Sequence, residues 1–327
     1  MMMMRRRAFL ASAAGVAVAT LAETGFAAAP APFKLYDTHT HFYSSDTARY
    51  PLKPDVADAA RAKVAARPIT PDYLFKLWDD NNVAMGCGVQ YNTTYYTDNR
   101  YLLDVAAQYP KRIVPIVILA PTDPATPGML AKLARENHIA GVRFAGMPDA
   151  SGNFIFLSEA AEPAWATADH LGLVVVLMPQ KSDNKAAVPA AMKRIGEIAA
   201  KYPNVRIVLD HIGFPEPVVN ATFGLSPDHL ALAKHKNVYY KYTTFLINQL
   251  KEGNVPIDQF LRYAVGVYGA DHFVWGSDVG NTPGNYADFV KVALDSAAWM
   301  PLAQRKAFFH DNAAHLFVPG GRGPAHG

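Results

Sequence analysis

Eight short apolar runs recur along the chain, and from the second onward they fall roughly 30 residues apart, the length of a strand–helix unit. They read KLYDTHTHF at 34–42, VAMGCGVQY at 83–91, IVPIVILA at 113–120 and IAGVRFAG at 139–146. LVVVLMPQ at 173–180, VRIVLDHIG at 205–213, VYYKYTTF at 238–245 and FVWGSDVG at 273–280 complete the set. Such runs lack a clean in–out alternation, so they read as strands buried on both faces, as in a parallel sheet. The segments between them carry helical spacing. PDYLFKLWDDNN places Leu74, Leu77 and Trp78 on one face, and AAMKRIGEIAAKYPN does the same with Met192, Ile195 and Ile198 before stopping at Pro203. Strand–helix units repeated through residues 31–327 predict one α/β domain, a (β/α)8 TIM barrel. An open, doubly wound sheet is the competing arrangement, and the first run lacks the glycine-rich fingerprint that often opens one. Residues 43–72, rich in Pro, Ala and charge, read as an insertion after the first strand, placed to cap a site.

The first thirty residues are not part of this pattern. A basic start, Arg5–Arg7, leads into a small-residue apolar stretch and an alanine-rich end. This is an export signal, and Arg5-Arg6-Arg7 before Ala8-Phe9-Leu10 is of the twin-arginine kind, which carries folded proteins. Cleavage is expected between Ala27 and Ala31, giving an exported, periplasmic protein; an ordinary secretory signal with a basic head is the alternative. No later apolar run reaches the roughly 18 residues of a spanning helix, so no membrane association is expected after cleavage. Cys87 is the only cysteine, which excludes an internal disulfide, and its apolar setting marks a small core residue. A net charge of +3 without a basic, aromatic-studded stripe argues against nucleic acid. A small molecule is the expected partner; the oligomeric state is not legible.

In a barrel of this type, functional groups gather at the C-terminal ends of the strands. Asp37-x-His39-x-His41 puts two histidines on one face of the first strand. His211 closes the sixth run, Asp278 the eighth, and Arg143 lies in the fourth. Singly, each has a structural explanation: a chance His pair, a satisfied core histidine, a helix cap, or an arginine paired with a strand-end carboxylate. Together they do not, because an apolar barrel mouth has no packing reason to collect unpaired polar groups.

DTHTHF, GVRF, RIVLDHIG and VWGSDVG resemble the landmarks of the amidohydrolase-related family of metal-dependent hydrolases and decarboxylases. DNAAHLFVP resembles that family's closing Asn-Ala-x-x-Leu-Phe helix, so the likeness runs from Asp37 to Phe317. Within the family the likeness is strongest to the lactonase branch, which includes 2-pyrone-4,6-dicarboxylate and sugar lactonases, followed by the decarboxylase branch. The resemblance implies that Asp278 is the general base and a metal ligand, and that His39 and His41 hold a divalent metal or polarise a carbonyl. It also implies that His211 bonds the carbonyl or the oxyanion, and that Arg143 binds a substrate carboxylate.

One departure matters. Firm metal binders of the family carry another histidine at the end of strand five, where this chain has Met178, Pro179 and Gln180. A thioether is a poor ligand for Zn²⁺. His39, His41 and Asp278 still suffice for a three-ligand catalytic site holding one divalent ion, Zn²⁺ or Mn²⁺, and metal-free water activation by Asp278 is the other expectation. The missing ligand favours a reactive ester over an amide. The expected activity is therefore hydrolysis of a lactone or related cyclic ester of a small organic acid. A metal-dependent non-oxidative decarboxylase and a non-catalytic small-acid-binding barrel are the alternatives. Lys241, Gln180, Tyr91 and Asn92 are the expected substrate-binding wall; AGMPDASGNF, after Arg143, brings no second arginine for a dicarboxylate.

Overall fold

The computed structural model describes residues 31–321, and the expected export signal at 1–30 lies outside them. Every apolar run contains a strand: β1 (Leu35–Thr40), β2 (Val83–Val89), β3 (Ile113–Ile118), β4 (Gly141–Gly146), β5 (Val174–Pro179), β6 (Arg206–Leu209), β7 (Val238–Thr243) and β8 (Phe273–Gly276). They pair in chain order, each neighbour parallel to the last. The sheet then returns on itself, because Asp278 N–H donates to His39 O (2.9 Å) and His41 N–H to Val279 O (3.0 Å). That return makes the sheet a (β/α)8 barrel and removes the open-sheet alternative.

The β1–β8 seam explains the first aspartate of DTHTH. The Asp37 carboxylate accepts from Ser277 N–H (2.8 Å) and from the Tyr286 hydroxyl (2.8 Å), which ties β1 to β8 and to the helix that follows. It also explains Gly276, since a Cβ there would stand 2.6 Å from His39 Cβ. The seam is too close for a side chain.

The helices pack as their spacing requires. Pro71–Asp80 buries Leu74 and Trp78 and leaves Leu77 at the edge, while Ala187–Lys201 buries Met192, Ile195, Ile198 and Ala199. Cys87 is buried in the barrel interior, where desolvation pushes its thiol up to about 12, so it is an inert core group. No helix among the described residues is long and apolar enough to cross a membrane.

The insertion lies over the C-terminal mouth and contains one short helix, Asp58–Ala66. It is pinned to the loop after β8 by the Tyr43 hydroxyl on Gly280 O (2.8 Å) and by Lys63 Nζ on Asn281 O (2.7 Å). Lys53 N–H on Thr94 O (2.7 Å) fastens it to the loop after β2. A cavity of about 720 Å³ opens between insertion, β2 loop and the end of β4, lined in part by Lys53, Asn92, Tyr95 and Ala145.

Candidate active site

Beneath the insertion, His39, His41, His211 and Asp278 converge, and none is more than 3% exposed. Two of them stand on strained backbone. β6 stops at Leu209, and the chain turns left-handed at His211 (φ 54°) and Ile212 (φ 55°); β8 stops at Gly276, and Asp278 has φ 59°. Each such non-glycine position costs on the order of 1–3 kcal/mol, and the seam hydrogen bonds and surrounding packing hold it in place.

Asp278 has an asymmetric environment. Its Oδ2 accepts from Asn281 Nδ2 (2.9 Å) and the Thr282 hydroxyl (2.5 Å). Its Oδ1 is buried without a hydrogen-bond partner and lies 3.4 Å from both His39 Nε2 and His41 Nε2. His41 Nδ1 lies 2.8 Å from Val89 O. A carbonyl only accepts, so Nδ1 carries the proton and the Nε2 lone pair faces Asp278. The Tyr91 ring stacks on His41 with centroids 4.4 Å apart, and its hydroxyl donates to Asn281 Oδ1 (2.5 Å). His211 stacks on His39 at 5.4 Å and pairs Nδ1 with the Thr243 hydroxyl (2.6 Å).

Burial sets the charge states. Desolvation lowers His39 to about 3 and His211 to about 4, and it lowers His41 as well, so all three are neutral at neutral pH. Burial alone would raise Asp278, but on acidification the imidazoles of His41, His39 and His211 take up protons first, and their charge outweighs burial and holds the carboxyl below its usual range. The centre is one carboxylate among three neutral imidazoles.

Arg143 and Lys241, expected to receive a substrate carboxylate, have a carboxylate partner within the barrel. Both are buried and committed to Asp210 at the end of β6. Arg143 places Nε and Nη2 each 2.9 Å from Asp210 Oδ2, and Lys241 Nζ lies 2.9 Å from Oδ1. Burial would raise Asp210, yet these two cations hold it well below the carboxylate range. Met178, where the family's strand-five histidine would stand, lies with its sulfur 2.7 Å from Arg143 Nη2, so that position seats the arginine. Gln180, also expected in the wall, is half-exposed one residue beyond β5, with its backbone N–H on Gly146 O (3.0 Å). Among the described residues no hydrogen bond joins its side chain to the cluster.

Sequence reasoning missed Asp210, Asn281 and Thr282. For Asp210 a signal existed. Val208 belongs to the cluster inside the barrel, and residues two apart share a face, so Asp210 is the inward residue of LDH. His211 reaches the site only through the left-handed turn.

Residues 36–318 match the sequence profile of the Amidohydrolase family. The chain belongs to this family. This amidohydrolase is a hydrolase enzyme, 24% identical over 299 residues to L-fucono-1,5-lactonase of Burkholderia ambifaria, covering 86% of the chain and 94% of that enzyme. Its fold matches a Pseudomonas putida protein named for 2-pyrone-4,6-dicarboxylic acid hydrolysis, with TM-score 0.68, 22% identity and coverage of 87% and 97%. A Burkholderia multivorans amidohydrolase with bound zinc matches with TM-score 0.68, 19% identity and coverage of 88% and 100%.

The family is usually metal-dependent, and the donor set of this amidohydrolase fits an ion. His39, His41 and Asp278 bring three ligand atoms together, all buried. His39 Nε2 and Asp278 Oδ1 lack hydrogen-bond partners, and the 3.4 Å separations from Oδ1 suit a small cation. The edge of a tetrahedron with bonds of about 2.1 Å is about 3.4 Å. His39, Asp210 and His211 form a second possible group, but Arg143 and Lys241 already occupy Asp210 and would repel a cation.

Proposed function

We propose that this amidohydrolase hydrolyses a lactone or related cyclic ester of a small organic acid, with Asp278 activating the water. The observation that carries the reading is Asp278 Oδ1: ionised, buried, without a hydrogen-bond partner, and 3.4 Å from the Nε2 atoms of His39 and His41. A water at Oδ1 gives it a proton as the water oxygen bonds to the ester carbonyl carbon. Thr243 Oγ1 accepts from Leu246 N–H (3.4 Å) and donates its own proton to His211 Nδ1 in this reading. The single proton of neutral His211 then sits on Nε2, a donor for the oxyanion. Asp278 returns its proton to the alkoxide as the ring C–O bond breaks, and the products are a hydroxyl and a carboxylic acid. A divalent ion held by His39, His41 and Asp278 supplies Lewis acidity and a more acidic water. The Burkholderia multivorans structure with bound zinc supports an ion in a barrel of this fold, and the fuconolactonase relative supports the ester class.

The test is a panel of sugar and aromatic-acid lactones followed by acid release in a weakly buffered indicator assay, with and without Zn²⁺ or Mn²⁺. Asp278→Asn should lose about 10²–10⁴-fold in kcat while remaining folded. Full activity in that variant removes the assigned base, and CO₂ release from aromatic acids in place of lactone opening would assign the decarboxylase chemistry. The signal at 1–30 supports export to the periplasm. N-terminal sequencing of periplasmic protein should begin near Ala27–Ala31, and retention of the uncleaved chain in the cytoplasm would overturn this.

A further inference from the structure

A fully buried carboxylate with two buried cations needs a reason beyond stability. Desolvating the ions is costly, and apolar residues of similar volume are often as good or better. Asp210 is such a carboxylate, held by Arg143 from β4 and Lys241 from β7, and its Oδ1 also lies 3.4 Å from His39 Nδ1.

The two histidines of DTHTH differ in how they are oriented. His41 is fixed by the backbone, since Val89 O takes its Nδ1 proton and turns the Nε2 lone pair inward. His39 has no such carbonyl. Its nitrogens each face a carboxylate at 3.4 Å, Asp210 on one side and Asp278 on the other. A neutral imidazole has one proton to place. On Nε2 it makes His39 a donor to Asp278; on Nδ1 it leaves Nε2 as a ligand.

We propose that Asp210 is a positioning residue that takes the Nδ1 proton of His39 and thereby presents the His39 Nε2 lone pair, beside that of His41, to a divalent cation at Asp278. Arg143 aims the Asp210 carboxylate at His39, and Lys241 offsets its charge. Arg143 holds Oδ2 through two nitrogens, a fixed fork, and Lys241 draws Oδ1 toward its own strand. An acceptor behind a ligating histidine fixes its tautomer and ring, and losing it typically weakens metal binding 10–100-fold. The proposal rests on the His39–His41–Asp278 cation site and not on the lactone substrate.

The experiment measures Zn²⁺ affinity of metal-stripped protein by competition with a chromophoric chelator. Asp210→Leu/Lys241→Met removes the acceptor facing His39 Nδ1 together with one buried cation, so the buried net charge is unchanged. The double variant should melt within a few degrees of the parent and bind Zn²⁺ about 10–100-fold more weakly. Lys241→Met alone, which keeps Asp210 on Arg143, should bind within about threefold of the parent, a loss small beside that range. If the double variant does not fold, Arg143→Met/Asp210→Leu/Lys241→Met carries the same measurement on an apolar trio. Parent-like zinc affinity in a folded variant lacking Asp210 overturns the proposal, as does an equal loss in Lys241→Met alone. Absence of Zn²⁺ binding by the parent protein overturns it too. Intact zinc affinity without lactone turnover would instead remove the proposed function and leave Asp210 in its role.

Discussion

Acidification between pH 7.5 and 5 should destabilise the metal-stripped protein through its buried histidines. His39 and His211 are lowered by burial from 6.5 to about 3 and about 4. Both folded values lie below the unfolded one, so the unfolded chain binds more protons throughout this window. The stability is therefore fully present above pH 6.5, and it falls as the pH drops toward the folded values. At pH 5 linkage gives a loss of about 2 kcal/mol for each of these two histidines, or about 4 together. His41 and His229 are shifted the same way by burial and add to the loss. Asp210 and Asp278 are depressed carboxylates whose contribution is lost only below the usual carboxylate range, so they stay out of this window. In a chain of this size, about 4 kcal/mol corresponds to a Tm drop of about 6–10 °C. Calorimetry in EDTA at constant ionic strength reads it directly. His211→Gln should remove between about a quarter and a half of the pH slope even if its absolute Tm is lower. A flat Tm between pH 7.5 and 5, or a slope unchanged in both His211→Gln and His39→Gln, would falsify the assignment of buried neutral imidazoles.

Gly276→Ala would place a Cβ 2.6 Å from His39 Cβ and 2.9 Å from His39 N, so the β1–β8 seam must part. A loss of about 1–3 kcal/mol is expected, together with weaker Zn²⁺ binding, and a parent-like Tm and affinity would show that the seam yields freely. Tyr91→Phe keeps the ring on His41 but removes the hydroxyl from Asn281 (2.5 Å). Stability should change by about 1 kcal/mol or less while kcat falls by about threefold to tenfold; an unchanged kcat would detach Tyr91 from the positioning of Asp278. Lys63, on the insertion helix, is in electrostatic reach of Asp278 and donates to a carbonyl, Asn281 O. Lys63→Met should raise KM about tenfold for carboxylated lactones and little for neutral ones, and equal effects on both would refute a charge role.

The barrel was legible because its signal is local and repeated. A strand buried on both faces must be apolar along its length, and the chain states this at every strand from Leu35 to Gly276. Strand ends were less legible where they matter most. VRIVLDHIG reads as one run to Gly213, yet β6 ends at Leu209 because His211 and Ile212 adopt positive φ, a conformation histidine visits more readily than most residues and isoleucine rarely. After β8 Asp278 takes the same geometry, which aspartate also tolerates, but the apolar pattern around both sites reads as continuing strand. Both interruptions carry an active-site side chain. Local rules describe the regular parts of a strand, and the chemistry stands where the strand is broken.

Charge pairing was the harder problem, and its misreading has one cause. Arg143 and Lys241 each look, within their own strand, like a cation lacking a partner at the barrel mouth. The partner is 67 residues from Arg143 in the chain and meets it across the barrel. Parity narrows the choice, because Tyr239 belongs to the interior cluster and so Lys241 must point inward, just as Val208 directs Asp210 inward. An inward lysine, an inward arginine and an inward aspartate in one barrel are almost bound to meet, since each would be prohibitively costly to bury alone. Face parity applied to the charged residues, and not only to the histidines, therefore assigns this trio before any coordinates are known. Pairing with a buried carboxylate leaves Arg143 and Lys241 less attraction to spare for a substrate. Lys63 on the insertion, which donates to a neutral carbonyl, is therefore the cation whose removal tests selectivity for charge.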